Sequence, residues 1–113
     1  MQPTPLKHST YCVLLALGDA ELHGYAIMQA VNEMTGGRET LLPGTLYAAL
    51  ARMADEGLIE ERDPPAHETS GGPRRRYYGA TKEGLAAARA ESERLRTLLD
   101  VARKQKILQG GRR

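Results

Sequence analysis

Two stretches of the chain decide its fold. Residues 42–62 read LPGTLYAALARMADEGLIEER, and residues 70–84 read SGGPRRRYYGATKEG. In the first stretch, Pro43 opens a helix, because the first helical position needs no N–H, and Gly57 closes it ahead of a strand. In the second stretch, a basic strand leads into another helix. A short helix with a bare outer face, followed by an arginine-rich hairpin, is typical of a domain that holds DNA by one groove and the backbone.

Composition indicates a single globular domain. The chain has 113 residues, of which 41% are hydrophobic, and it contains neither Phe nor Trp. The core must therefore be built mainly from aliphatic side chains. The net charge of +2 says little about nucleic acid, but the cations are clustered at 74–76 and again at 103–113. Cys12 is the only cysteine, so we expect a buried, reduced thiol in a cytoplasmic protein without a membrane span.

Apolar spacing predicts three helices, a hairpin and a long terminal helix. The run over 12–17 is apolar on all sides, so its helix should face the core on one side and a partner on the other. Ser9 or Thr10 is positioned to cap that helix. The remaining predicted elements are a second helix over 24–35, a third from Pro43, a strand over 58–62, a loop over 63–73, a return strand over 74–79 and a helix from the cap Thr81 to about 108.

These elements predict a mainly α, winged helix-turn-helix fold with a two- to three-stranded wing. Residues 1–80 form the DNA-binding domain, 81–108 a C-terminal dimerisation helix and 109–113 a disordered tail. The terminal helix has apolar residues at a 3-4-3-4 spacing, and no other element is left to cover them. Packing against a second copy is the simplest answer. The predicted dimer interface comprises Val13, Leu14, Leu17, Leu85, Ala88, Leu95, Leu98, Leu99 and Ala102.

The third helix has one apolar face, made by Leu46, Ala49, Leu50 and Met53. The hydroxyls of Thr45 and Tyr47 suit phosphate oxygens, and Arg52 suits a phosphate or a guanine edge. An ordinary solvated face is the alternative, and Asp55 and Glu56 at the far end agree with it. We therefore favour DNA contact for the N-terminal half only. The candidates on this helix are Pro43, Gly44, Thr45, Tyr47, Ala48 and Arg52.

The wing candidates are Gly72, Arg74, Arg75 and Arg76. One explanation for arginines on an edge strand is structural: their charges keep the edge from pairing with other chains and aggregating. The adjacent Gly-Gly-Pro tip favours a DNA role, because arginine on a flexible tip can enter a minor groove. Strand alternation predicts that at least one arginine points back toward the protein.

Other polar and aromatic residues are better explained by structure than by chemistry. Tyr25, Tyr77 and Tyr78 are interpreted as packing residues, and His23 as a hydrogen-bonding residue at the start of the second helix. His8 lies one helical turn before the cysteine, but a zinc site needs further ligands that the spacing does not supply. No nucleophile, base and orienting acid can be assembled, so we expect no enzyme, no metal and no cofactor.

The motifs resemble those of the PadR family of transcriptional regulators over roughly residues 9–90. The resemblance rests on LALG at 15–18, HGYAI at 23–27, GTLY at 44–47, LARM at 50–53, EGLI at 56–59 and GPRRRYY at 72–78, followed by Thr81 and Gly84. The single C-terminal helix is similar to that of the short form of the family. Leu42 stands where the family often has a serine, so its side chain cannot cap the third helix.

The resemblance implies a dimeric, cytoplasmic DNA-binding regulator, in most cases a repressor. It places the third helix in the major groove of a pseudo-palindromic operator and the wing on the backbone or minor groove. It also implies that the first and last helices form the dimer, where a small-molecule effector binds in some members and releases DNA. The residues leave one alternative, a winged helix that binds protein through the same face without its own operator.

Overall fold

The computed structural model describes residues 5–65 and 75–109. In chain order the elements are α1 (His8–Leu17), β1 (Leu22–His23), α2 (Gly24–Met34), α3 (Pro43–Asp55), β2 (Ile59–Arg62), β3 (Tyr77–Ala80) and α4 (Lys82–Lys104). The strands form one antiparallel sheet in the order β1-β3-β2. This is the predicted mainly helical winged helix with a long C-terminal helix.

One apolar core joins the helices to the sheet. Its buried members are Cys12, Val13, Leu14, Leu17, Ile27, Val31, Leu46, Leu50, Met53, Ile59, Tyr78 and Ala88. The predicted inner face of α3 is confirmed, since its four apolar residues are at most 3% exposed. Burying one large aliphatic side chain contributes about 1.5–3 kcal/mol. This packing therefore fixes α3 on the body with its opposite face outward.

The start of α1 differs from the prediction. The helix begins at His8 with Lys7 as its N-cap, and no side chain caps it, so Ser9 and Thr10 lie inside the helix. Thr10 is buried and accepts a hydrogen bond from Arg52 of α3. The hydroxyl that local sequence assigned to a cap is thus used in a contact between two helices.

The first helix also corrects the predicted dimer interface. Val13, Leu14 and Leu17 are 0%, 1% and 1% exposed within a single chain, so they have no surface left for a second copy. A helix that is apolar all round meets the core on its broadest side, and here the core takes these three residues. Ala88 of α4 is buried in the same core. Leu15, at 45% exposure, is the large apolar residue of this helix that remains accessible.

The wing differs from the prediction in the start of its return strand and in its anchoring to β1. Its return strand starts at Tyr77 rather than residue 74, and the loop residues 66–74 lie outside the described part of the chain. The two-residue strand β1 was not predicted, and it pairs Leu22 with Tyr78 and His23 with Tyr77. The central strand β3 is therefore bonded on both edges, which ties the base of the wing to the start of α2.

The last helix is capped as predicted and ends earlier. The Thr81 hydroxyl accepts from the Gly84 N–H at 2.9 Å, and the helix ends at Lys104 rather than near 108. Ser92 interrupts the apolar spacing of this helix because it has a partner within the chain: its Oγ lies 2.6 Å from the Tyr11 hydroxyl of α1. The contact fixes α4 alongside α1.

A buried carboxylate anchors the segment before α1 to α4. Glu91 is 6% exposed, accepts from the Leu6 N–H at 3.1 Å, and is held on both oxygens by Arg94. The hydrogen bond from Arg94 is the main cause that lowers the pKa of this carboxyl, the Leu6 N–H adds to it, and burial opposes both. Its ionised form therefore stabilises the folded chain.

We expect the stability of the protein to fall in acid partly through Glu91. Because its folded-state pKa is depressed, its contribution is complete above the ordinary carboxyl pKa and is lost as the pH falls through the lowered value. Urea unfolding between pH 7 and pH 3 should show a smaller pH-dependent loss for Glu91→Gln than for the native chain. Glu93→Gln, at an exposed carboxylate of the same helix, is the control and should retain the native dependence.

Candidate nucleic-acid interface

The outer side of α3 is exposed over its first two turns. Thr45, Tyr47 and Ala48 are all accessible, as are Pro43 and Gly44 before them. The helix begins without a side-chain cap, as the leucine at its N-cap predicts. Small side chains and two hydroxyls therefore face outward where the helix begins. Such a face can approach another surface closely and donate to acceptors on it.

Arg52 is placed differently from the other α3 candidates. It is half-buried, and its guanidinium donates to the Thr10 hydroxyl of α1 at 3.3 Å. Arg52, which is predicted to contact DNA, thus has a partner within the chain. In this position it joins α3 to α1.

The wing arginines that the structure describes lie just before β3. Arg76 is 74% exposed and faces Glu61 with 3.9 Å between Nε and the nearer carboxylate oxygen. An exposed pair of this kind contributes about 0–1 kcal/mol, so its guanidinium can exchange Glu61 for a phosphate. Arg75 is also exposed and reaches back to His23, with Nη1 3.4 Å from Nε2. Gly72 and Arg74, the other wing candidates, lie outside the described residues.

A groove of about 310 Å³ separates α3 from the wing. It is lined by His23, Gly24, Tyr25, Tyr47, Arg75 and Arg76. The interpretation of Tyr25 as a packing residue is wrong, since it is 60% exposed, whereas Tyr77 and Tyr78 are buried as predicted. Sequence periodicity missed Tyr25 because it lies in the first turn of α2, ahead of the apolar stripe. The groove extends the exposed α3 surface as far as the arginines.

Tyr47 is packed against the start of α2. A Cβ built on Gly24 would lie 2.5 Å from the Tyr47 hydroxyl oxygen, so only glycine leaves room for this ring. His23 caps α2 through Nδ1, which accepts from the Ala26 N–H at 3.2 Å, and this confirms its predicted structural role. Its ring also meets that of Tyr77 edge to face, with 5.3 Å between centroids. The groove wall is therefore built from mutually packed residues.

Acidic side chains limit the far end of this surface. Asp55, Glu56, Glu60 and Glu61 are all exposed. Arg62 is held there by Glu21 at 3.1 Å and Glu60 at 2.9 Å, and it also donates to the Ala80 carbonyl. The hydrogen bond to Glu21 is the main cause that raises the pKa of Arg62, with Glu60 adding to it and burial opposing. Asp55 and Glu56 therefore lie at the end of α3, whereas Glu61 lies beside Arg76 at the wing base.

A second exposed surface is apolar and lies on the distal half of α4. Leu98, Leu99 and Val101 are 52%, 46% and 48% exposed, and Leu95 and Ala102 are half-buried. Leu15 of α1 is also exposed, but it lies beyond Tyr11 in the direction of the start of α4, since Tyr11 contacts Ser92 and Leu14 lies next to Gly84. Leu85 of the predicted interface is half-buried near the start of α4. Exposed leucines at this spacing are typical of a helix that packs on a partner.

The two residues considered for a metal site are close but insufficient. Cys12 Sγ lies 3.7 Å from His8 Nε2, and the same nitrogen lies 3.0 Å from a Glu39 oxygen. Burial raises the pKa of the Cys12 thiol, and Glu39 raises it further, so the thiolate that a metal prefers is disfavoured. Over residues 5–65 and 75–109, no group of three ligating side chains is arranged to hold a metal.

The family model described as the transcriptional regulator PadR-like family matches residues 13–90. The chain belongs to this family. The PadR-like family consists of transcriptional regulators rather than enzymes, and the matched range includes α3, the wing and the start of α4. Within the part of the chain that the structure describes, no helix is long and apolar enough to cross a membrane.

Solved structures place this PadR-like chain among relatives of similar architecture. It is 30% identical to a PadR family transcription regulator of Clostridium difficile, with a TM-score of 0.72 over 87% of this chain and 97% of that one. It is 25% identical to Bacillus subtilis PadR in complex with operator DNA, with a TM-score of 0.63 over 75% of this chain and 46% of that one.

A curated protein from Streptomyces matches a short part of this chain. It is an uncharacterised 37.1 kDa protein from transposon TN4556 of Streptomyces fradiae, 51% identical over 47 residues. The match covers 42% of this PadR-like chain and 13% of that protein, so the chain spans only a small part of its relative's length.

Proposed function

We propose that this PadR-like chain is a cytoplasmic repressor that binds a pseudo-palindromic operator as a homodimer and is released by a small-molecule effector at the dimer interface. One observation carries the proposal: the bare first half of α3 and the exposed arginines at the wing base lie on either side of one groove that no acidic side chain lines among the described residues. The B. subtilis relative was solved in complex with operator DNA, which supports a DNA-binding role for this chain.

The third helix and the wing would contact different parts of the DNA, because their side chains differ in chemistry. Thr45, Tyr47 and Ala48 would lie in the major groove, where small side chains permit close approach to base edges. Arg75 and Arg76 would hold the backbone, which carries no sequence information. Arg52 is a support for α3 rather than a reader, because its guanidinium is directed to Thr10. Asp55 and Glu56 would lie beyond the end of the contact, whereas Glu61 would exchange its pair with Arg76 for a phosphate.

The dimer supplies the symmetry that a palindrome requires. The apolar surface on the distal half of α4 would pack against its copy, with two α3 helices about one DNA turn, or about 34 Å, apart. An effector that binds between the copies would change this spacing. The acidic far end of α3 leaves the protein-binding alternative in place, and competition decides it: excess duplex DNA should displace any protein held on this face.

Selection of bound sequences from a random duplex pool tests the function directly. We expect the recovered sequences to converge on two inverted half-sites whose centres are about 10 base pairs apart. Recovery of sequences without inverted symmetry would contradict the homodimer, and recovery of no duplex would contradict the DNA-binding proposal itself.

The salt dependence of binding should change with Arg76. Replacing it by glutamine removes one phosphate contact in each protomer, so the slope of log affinity against log salt should fall in magnitude by about 2 per dimer. All duplexes, specific and random, should weaken alike. Arg103→Gln removes the same charge from the last turn of α4, where Arg103 pairs with Asp100, and should leave the slope unchanged. An equal change in both variants would show that only net charge matters.

A further inference from the structure

The first helix is hydrogen-bonded to two other helices through neighbouring residues. Thr10 accepts from Arg52, in the last turn of α3, with 3.3 Å between Oγ1 and Nη2. The next residue, Tyr11, has its hydroxyl 2.6 Å from Oγ of Ser92 on α4. Ser92 also donates to the Ala88 carbonyl at 2.8 Å. A serine hydroxyl carries one proton, so Tyr11 is the donor to Ser92.

The contact at Ser92 is the second of two places where α4 is held along its length. The first is its start, where Gly84 packs directly on the Leu58 carbonyl. Eight residues of α-helix separate Gly84 from Ser92, which is about 12 Å along the axis. A helix held at one place can pivot there, whereas a helix held at two places has a fixed direction. The direction of α4 therefore depends on its contact with Tyr11.

Apolar packing does little to fix α4 at this second place. Ala88 contributes one methyl group to the core, and Glu91 is held by polar bonds to the Leu6 N–H and Arg94. Beyond Glu91, no residue of α4 is buried within a single chain. Apolar contact has no preferred direction, but a hydrogen bond weakens steeply outside a narrow range of distance and angle. Polar bonds therefore set the angle at which α4 leaves the rest of the chain.

A small displacement at Ser92 becomes larger where the second copy is proposed to pack. Leu99 is 15 residues from Gly84, nearly twice as far as Ser92. A shift of about 1 Å at Ser92 therefore becomes about 2 Å at Leu99. In the proposed dimer, such a shift changes the separation of the two α3 helices. That separation must match the half-sites, since successive base pairs are about 3.4 Å apart.

We propose that Thr10 and Tyr11 together set the half-site spacing that the dimer accepts, by fixing α3 relative to α4. Thr10 holds α3 through Arg52, and Tyr11 holds α4. The inference rests on the proposed function and adds two positioning residues to it. Thr10 is 4% exposed and Tyr11 is half-buried, so both act through their partners and not by contact with DNA.

Binding to duplexes of different half-site spacing tests the role of Tyr11. One base pair is removed or added between the selected half-sites. The native chain should prefer one spacing, and Tyr11→Phe and Ser92→Ala should each lower that preference about fivefold. The double variant should lower it no further, because both changes remove the same hydrogen bond. A chain that is merely less stable would bind every duplex more weakly and keep its preference. Unchanged preference, or losses that add in the double variant, would overturn the role of Tyr11.

Two substitutions of one buried residue test the role of Thr10. Thr10→Val keeps the volume and removes the hydroxyl, whereas Thr10→Ser keeps the hydroxyl. The valine variant should lose about fivefold in spacing preference, and the serine variant should keep most of it. Thr97→Val is the matched control, because the exposed Thr97 hydroxyl donates to the Glu93 carbonyl of its own helix, and it should keep the native preference. Equal effects of valine at residues 10 and 97 would overturn the role of Thr10. So would a loss on Arg52→Gln that Thr10→Val does not share, since Arg52 would then act without Thr10.

Distances between the two copies test the inference without DNA. Ala51 is exposed on α3, and Cys12 is the only cysteine of the chain. A spin label on Ala51→Cys in the Cys12→Ala chain therefore reports the separation of the two α3 helices. One narrow distance distribution is expected, and it should broaden when Thr10→Val and Tyr11→Phe are added. An unchanged distribution would overturn the inference and leave the proposed function in place. If the protein binds no duplex, the proposed function fails, and the label distances still decide whether α1 fixes α3 relative to the second copy.

Discussion

Replacement of Leu99 by glutamate is expected to leave the protein monomeric and to weaken operator binding by a hundredfold or more. Leu99 is 46% exposed on the distal half of α4, between Leu98 and Ala102 on the same apolar surface. In the proposed dimer it is covered by the second copy, and a carboxylate there would lose its hydration without gaining a partner. Two linked DNA-binding domains bind about 10²–10⁴-fold more tightly than one. The loss of the dimer should therefore lower the affinity for the operator by that factor.

Sedimentation and binding to the same palindromic duplex measure the two effects. The matched control is Met34→Glu, which places the same charge on an exposed apolar residue of α2. It should remain dimeric and bind with nearly native affinity. If Leu99→Glu sediments as a dimer, the interface lies elsewhere. If it is monomeric but binds as tightly as the native chain, the second DNA-binding domain does not contribute to affinity.

Replacement of Gly84 by valine is expected to lower the free energy of unfolding by about 3 kcal/mol or more. A Cβ at this position would lie 2.0 Å from the Leu58 carbonyl oxygen and 3.2 Å from a methyl carbon of Leu14. The Leu58 carbonyl cannot move away easily, because it accepts from the Thr81 N–H at 3.0 Å. The first turn of α4 would have to separate from the base of the wing.

Urea unfolding measures this loss, which is a large share of the 5–15 kcal/mol that holds a typical domain together. Gly84→Ala should show most of it, since the first carbon already meets the carbonyl. Gly44→Ala is the control: its Cβ meets no described atom within 4 Å, and alanine favours a helix by up to about 1 kcal/mol. A similar loss at both glycines would contradict the close approach to Leu58 as the cause, because helix propensity alone predicts a gain for Gly44→Ala.

The helices could be predicted because their apolar residues repeat along the chain. The stripe from Leu46 to Met53 predicted the inner face of α3, and Thr81 predicted the start of α4. The cap of α1 could not be predicted in this way. Ser9 and Thr10 are both good capping residues, but the N-cap is Lys7, two residues before Ser9, and Arg52 donates to the Thr10 hydroxyl.

The sequence predicted which segments form the candidate site, but it did not predict which residues lie next to one another there. The exposed first half of α3 and the wing arginines were identified from residue type and spacing. The strand β1 has only two residues, too few for any periodic signal, and it becomes a strand because β3 pairs with it. That pairing brings His23 next to Arg75, and the groove between α2 and the wing follows from it.

The sequence by itself determined the family, the order of the elements and the inner face of α3, because these depend on residues near one another in the chain. The tertiary structure alone decided which side of each element remains available. It placed Val13, Leu14 and Leu17 in the core and exposed Leu15, and it turned Arg52 toward the body. A helix that is apolar all round has no preferred side until its neighbours are packed, and a long arginine has no fixed partner until a distant hydroxyl is brought within its reach.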